Sequence, residues 1–276
     1  MKRILLLCIT SLVIAFANAQ SDDKVSAKEK IDAITDTLTV EQKESIYHLI
    51  EEVLIQKVDS AIDEGRFMNA LEIIDSLRSN WKYITGREVS PMIYLKKNII
   101  LMNLEEWEEL NENASECFSI HKNNLTDNIA AILRSSQGMA CRNLSQYKEA
   151  IGAYEKAMAY YTKLADLGSQ GGQLCDMANC YVKLNKQLMA SDLYNKGMEK
   201  YLEYFGITRS QLLKERFTVT DSFKKTVLRT FAVHLYGMAV LEEEKGNRTA
   251  SKDYLLMSAH CGYETALSEY QRIYGK

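Results

Sequence analysis

Apolar residues recur along this chain at spacings of three, four and seven, which marks one buried face of an α-helix. The pattern itself repeats. Ala70, Leu110, Ala150 and Ala190 stand forty residues apart, and a fifth anchor, Ala250, follows after a longer gap. Three positions before the anchors lie Phe67, Trp107 and Tyr147; four after them lie Ile74, Ala114, Tyr154, Tyr194 and Tyr254; seven after them lie Leu77, Cys117, Ala157, Gly197 and Met257. A fixed period of this length predicts stacked helix pairs, each burying its apolar face on the next. The pattern places these pairs at 42–64 with 67–82, 91–104 with 106–121, 127–144 with 147–164, 171–184 with 187–204, and 222–245 with 248–260, followed by a closing helix at 263–273. Short polar turns such as Glu64-Gly65-Arg66 and Ser145-Gln146 make the partners antiparallel. No stretch alternates with period two, so strands are not expected. Two connections break the rhythm. Gly168–Gly172 is glycine-rich and reads as a turn, while 205–221 is long enough to hold a short extra helix and reads as the hinge or domain boundary.

The N-terminus changes the picture of where such an array works. Lys2 and Arg3, the apolar run Ile4 to Phe16 and the small residues Ala17-Asn18-Ala19 have the layout of a cleaved secretory signal. The protein is therefore expected to be exported, periplasmic or secreted, with no membrane span after cleavage. A flexible lead-in over 20–41 precedes the repeats, with a short helix through 27–34. Loss of Lys2 and Arg3 leaves 32 of the 34 basic residues against 37 acidic ones, a net charge of −5 in the mature chain. Charge of that size, with no basic face, argues against nucleic acid as a partner. Cys8 leaves with the signal, so Cys117, Cys141, Cys175, Cys180 and Cys261 remain. Most of these fall on core-facing positions as small hydrophobes; a bridge between Cys117 and Cys141, on consecutive helices, is conceivable but not demanded.

The repeats resemble the tetratricopeptide (TPR) family. The third copy carries Gly138, Tyr147, Ala150, Tyr154 and Ala157 at the family's small and aromatic positions, and the fourth carries Ala178, Tyr181, Ala190, Tyr194 and Gly197. The first offers Ala61, Gly65, Phe67 and Ala70; the second, with Asn98, Trp107 and Leu110, is weak. Tyr254, Ala259, Gly262 and Ala266 look more like the Sel-type variant. The period of forty rather than thirty-four and the lack of a proline closing each pair depart from the family pattern. The resemblance implies an all-α, right-handed solenoid of about five antiparallel pairs that acts as a scaffold, holding a protein or peptide on the face lined by the first helix of each pair. Carried over position by position, that face comprises Ile55, Asp59, Met92, Leu95, Ile99, Met102, Ile132, Met139, Arg142 and Asn179, with Ser135, Cys175, Val182, Lys183, Leu235, Ala239 and Glu242 extending it. Some relatives grip a terminal carboxylate with Lys and Asn on this face; Ile55, Asp59, Lys96 and Ile99 in the first two copies do not reproduce that grip. The central stripe is instead apolar and methionine-rich, either an open groove or a covered extension of the core.

An enzyme is not expected. His48, His121, His234 and His260 lie in different helices, none at ligand spacing with another. Cys175 and Cys180 are five apart and diverge around a helix, so they form neither a redox motif nor a zinc pair. No metal or cofactor is called for. The sequence leaves two rivals: a small-molecule or envelope-glycan binder using Trp107, Tyr160 and Tyr161, and a thiol enzyme. Sequons stand at Asn113, Asn124, Asn143 and Asn247, the first inside a predicted helix.

Overall fold

The computed structural model describes residues 38–275, together with 28, 29, 32, 33 and 36, and leaves the Ile84 side chain aside. The signal segment 1–19 and most of the lead-in lie outside the described residues. The described residues form helices joined by turns and short connections, with no strand among them. The elements are α1 (Val40–Asp63), α2 (Phe67–Thr85), α3 (Pro91–Leu104), α4 (Trp107–Ile120), α5 (Asp127–Asn143), α6 (Tyr147–Lys163), α7 (Leu167–Lys183), α8 (Gln187–Phe205), α9 (Arg209–Lys214), α10 (Ser222–Glu244), α11 (Arg248–His260) and α12 (Glu264–Tyr274). No helix among the described residues is long and apolar enough to cross a membrane.

The chain forms two compact units that divide at Leu125/Thr126, not at the 205–221 connection. That connection belongs to the second unit: α9 packs on α11, Phe217 and Val219 pack against the core there, and the Phe217 N–H donates to the His260 carbonyl at 3.0 Å. The first unit pairs α1 with α2 and α3 with α4. The second pairs α5 with α6, α7 with α8 and α10 with α11, and α12 packs on α11.

One turn recurs at nearly every joint. Gly65, Glu105, Ser145, Ala165, Asn185, Gly246 and Gly262 all adopt positive φ, and each is followed by one residue and then the next helix. The N–H of that following residue bonds back five positions: Glu106 to Leu101, Gln146 to Cys141, Asp166 to Tyr161 and Lys186 to Tyr181, all at 2.8–3.0 Å. This is the left-handed termination that satisfies the last helical carbonyls. Because α5, α6, α7 and α8 start at 127, 147, 167 and 187, the forty-residue repeat is two equal halves, and the residues beyond the family's period lengthen the helices. At Ala165, with φ 53°, a Cβ meets the steric penalty of left-handed backbone. Ala165→Gly is therefore expected to stabilise the protein by about 0.5–1 kcal/mol, since glycine removes that penalty but adds unfolded-state entropy; an unshifted or lowered urea midpoint contradicts it.

The glycines of 168–172 do not form a turn, as the sequence suggested. They lie within α7 and are buried, because α8 approaches so closely that side chains would collide. A Cβ on Gly171 would stand 3.0 Å from the Tyr201 ring and 3.1 Å from the Gly197 carbonyl, and one on Gly197 would stand 2.5 Å from Cys175 Sγ. Small residues facing each other allow backbones to approach. The same logic sets the core of the repeat. Gly138 of α5 faces the fully buried Tyr154 of α6, and a Cβ there would lie 2.5 Å from Tyr154 Cδ1.

The weak second copy fills that register differently. Asn98 replaces the small residue and Ala114 the aromatic, and the Asn113 amide donates to Asn98 Oδ1 at 2.7 Å and to the Tyr94 carbonyl at 2.9 Å. Asn113 is thus buried and engaged, closed to the glycan its sequon would invite. In the first copy Val58 and Ile74, both buried, hold the equivalent positions. The small–aromatic pairing is one of several ways to fill a constant volume.

Candidate functional site

The face lined by the first helices is uneven in both units. In the first unit, Met92 and Ile99 of α3 are exposed to 40% and 36%, and Ile55 and Met102 are half-buried. Lys96 Nζ lies 2.5 Å from Asp59 Oδ1, tying α3 to α1. Leu95 is 8% exposed and belongs to the core, so it leaves the groove set. In the second unit Ile132 is exposed and Met139 half-buried, as an accessible face requires. Cys175, Leu235, Ala239 and Glu242 are buried, so the register carried over from the family turns the wrong side of α10 to the face. Its accessible stripe is Val233, Tyr236, Gly237 and Val240. α10 is longer than α3, α5 and α7 and begins after an irregular connection, so the forty-residue spacing could not set its rotation.

The second unit holds an open pocket of about 500 Å³ on this face. Arg142, Asn143 and Tyr147 come from α5 and α6; Asn179, Val182 and Lys183 from α7; Tyr194 from α8; Tyr236, Gly237, Val240 and Glu244 from α10. Four of the expected residues, Arg142, Asn179, Val182 and Lys183, therefore meet in it. Gly237 lets α10 approach, since a Cβ there would stand 2.8 Å from the Tyr194 hydroxyl oxygen. That hydroxyl donates to Asn179 Oδ1 at 2.5 Å, which engages the amide oxygen and leaves Nδ2 as the group able to donate. Asn143 does the reverse: its Nδ2 donates to the Met139 carbonyl at 2.9 Å, leaving Oδ1 as an acceptor. Lys183 is exposed and has no ion-pair partner among the described residues.

Beneath the pocket lies a charged network that the sequence did not reveal. The Arg142 guanidinium is bonded through Nη1 to Asp176 Oδ1. His234 Nε2 stands 3.6 Å from the same oxygen, and His234 Nδ1 is 3.2 Å from the Tyr201 hydroxyl. Burial pushes the Asp176 carboxyl up, but His234 and Arg142 outweigh burial and hold it below the usual carboxylate range. The only sequence signal was spacing: Arg142 and Asp176 occupy facing positions on consecutive first helices, 34 residues apart.

The rival chemistries fare less well. Tyr161 is 7% exposed and packs with Ala131 and Ala157, which removes it from any aromatic platform. All five described cysteines are free and buried. Burial pushes the thiols up, to about 12 for Cys117, about 11 for Cys180 and about 12 for Cys261, so thiolate is scarce at neutral pH. Iodoacetamide is accordingly expected to label all five slowly in the native mature protein and rapidly in denaturant; fast native labelling of any of them contradicts the burial. Among the described residues no three His, Cys, Asp or Glu side chains converge to hold a metal ion.

No family model matches the sequence, and no curated protein matches it. Solved structures do match in fold. BtubC (BKLC) from P. vanneervenii superposes with a TM-score of 0.60 at 12% identity, covering 96% of this chain and 93% of its own. The apo form of the quorum sensor NprR from B. thuringiensis gives 0.56 at 13%, over 98% of this chain and 70% of that one. A kinesin light chain of nearly identical TPR-like repeats from Podosopora anserina gives 0.55 at 13%, over 80% and 96%. The fold is TPR-like. At such identities the likeness extends to architecture alone.

Proposed function

We propose that this protein is an exported TPR-like scaffold that holds a peptide segment of a protein partner in the second unit's pocket. The observation that carries the reading is the pocket's mixed lining. An extended peptide offers donors and acceptors in alternation, and the Asn179 amide and Asn143 Oδ1 can answer both. Lys183 suits an acidic side chain, and Tyr147, Val182, Tyr236 and Val240 suit an apolar one. Anchors in a concave, partly desolvated site dominate such binding. Export rests on the N-terminal segment, and the exposed Met92 and Ile99 of the first unit are a second place of contact. We read 248–274 as a Sel-type pair, supported by the buried Tyr254, Ala259 and Ala266.

Panning a random peptide library on the purified mature protein tests the reading. Enriched peptides should pair an acidic residue with an apolar one, and Asn179→Ala with Lys183→Glu should weaken their binding at least tenfold. Enrichment without a shared pattern, or binding untouched by both substitutions, would sink it.

A further inference from the structure

Arg142 and His234 address one atom. Both approach Asp176 Oδ1, Arg142 in a direct bond and His234 from 3.6 Å. Arg142 lines the pocket, whereas His234 is buried to 6% exposure behind it on α10. The Asp176 carboxylate therefore stands between a pocket cation and a buried imidazole. Histidine is the side chain whose charge ordinarily changes between about pH 5 and 8.

Resting on the peptide-binding reading of this pocket, we infer that His234 is a pH-dependent control of it: protonated His234 takes Asp176, and Arg142 is released toward an anionic group of the partner. The tautomer fits. With His234 neutral, a ring proton on Nε2 faces Asp176 and leaves Nδ1 to accept from the Tyr201 hydroxyl, 3.2 Å away. Protonation adds a hydrogen at Nδ1, where the Tyr201 oxygen accepts it, and places a full positive charge beside the oxygen that Arg142 now holds. Two cations then share one carboxylate, and the repulsion between them is relieved by the one that can move toward the pocket. Arg142 has that freedom, because its side chain is 29% exposed against 7% for that of His234.

Among the described residues the pair itself meets no further charged group; on the pocket side Lys183 and Glu244 line the space that Arg142 would enter. Around the Asp176–His234 pair stand Arg142 from α5, Tyr154 from α6, Cys175 from α7, and Tyr194 and Tyr201 from α8. Burial pushes the Tyr154, Tyr194 and Tyr201 hydroxyls and the Cys175 thiol up, so all four stay neutral across this range. α11 meets α10 two residues before His234, where the Ser258 hydroxyl donates to the Ala232 carbonyl at 2.7 Å.

Two readings of one titration from pH 8 to 5.5 test this. The first follows the His234 ring and the Arg142 side-chain N–H by NMR on the mature protein without ligand, with Arg142→Lys assigning the arginine signal. The arginine signal is expected to move with the His234 titration; a titrating His234 with an unmoved Arg142 overturns the inference, as does a His234 that fails to titrate. The second measures binding of a fluorescein-labelled hexaglutamate peptide, expected to tighten about fivefold on acidification, with the dependence lost in His234→Gln. The same slope in wild type and variant overturns the inference. No binding at any pH, beside an NMR response that does couple, strikes at the peptide reading and leaves the switch standing.

Discussion

Replacing Gly138 by valine is expected to destabilise the protein by about 3 kcal/mol, the upper end for overpacking a close-fitted core. The position has no room: the first added carbon would lie 2.5 Å from Tyr154 Cδ1, and Tyr154 is itself fully buried. Helix propensity acts the other way by less than 1 kcal/mol and loses. The partner substitution makes the prediction sharper. Gly138→Val with Tyr154→Ile recreates the pairing of the first copy, where Val58 and Ile74 occupy the equivalent positions. The Tyr154 hydroxyl has no hydrogen-bond partner among the described residues, so its removal leaves nothing there unsatisfied. The double variant is expected to recover more than half of the loss, read as a coupling energy in urea titrations. Additive losses would mean that the small–aromatic register is not what sets this spacing.

The second large effect concerns Asp176. Asp176→Asn is expected to destabilise by about 2 kcal/mol, below the 3–5 typical of a fully buried pair because Asp176 and Arg142 keep partial access to water. The dependence on pH carries the sign. Asp176 has a lowered folded-state pKa, so its contribution is complete above the unfolded value and is lost as pH falls through the folded one. Wild type and variant should therefore differ most at neutral pH and converge in acid, below about pH 4. A gap that stays constant down to pH 2 would assign the loss to packing rather than to charge.

How much of this was legible in the sequence depended on what each residue does. Helices and pairs were readable because Ala70, Leu110, Ala150 and Ala190 face the core at a constant period, and periodicity reports burial directly. Turns were readable where glycine marked them, as at Gly65 and Gly246, but Ala165 adopts the same left-handed conformation without a glycine. Gly168–Gly172 has the composition of a turn instead, yet its glycines serve helix contact. Local composition cannot distinguish a glycine needed for its φ from one needed for its missing side chain. The division at Leu125/Thr126 left no trace in the pattern, because the half-repeat spacing runs straight through it.

The binding face was legible in part for a similar reason. Arg142 and Asn179 follow from register and do meet in the pocket, whereas α10 is rotated so that Leu235 and Ala239 are buried and Tyr236 and Val240 are accessible. The Asp176–His234 contact joins residues 58 positions apart on helices separated by the irregular connection, and no spacing rule reaches across it.

The central claim is that a partner peptide occupies the second unit's pocket, and capture by crosslinking tests it most directly. Wild-type protein, Lys183→Glu in the pocket and Leu188→Glu on the opposite helix of the pair, where Leu188 is 85% exposed, would be compared in cells that make the protein. The account predicts one partner captured by wild type and by Leu188→Glu and lost with Lys183→Glu, all three proteins being equally helical. Capture that survives Lys183→Glu and is lost with Leu188→Glu would contradict it and move the binding surface to the outer helices.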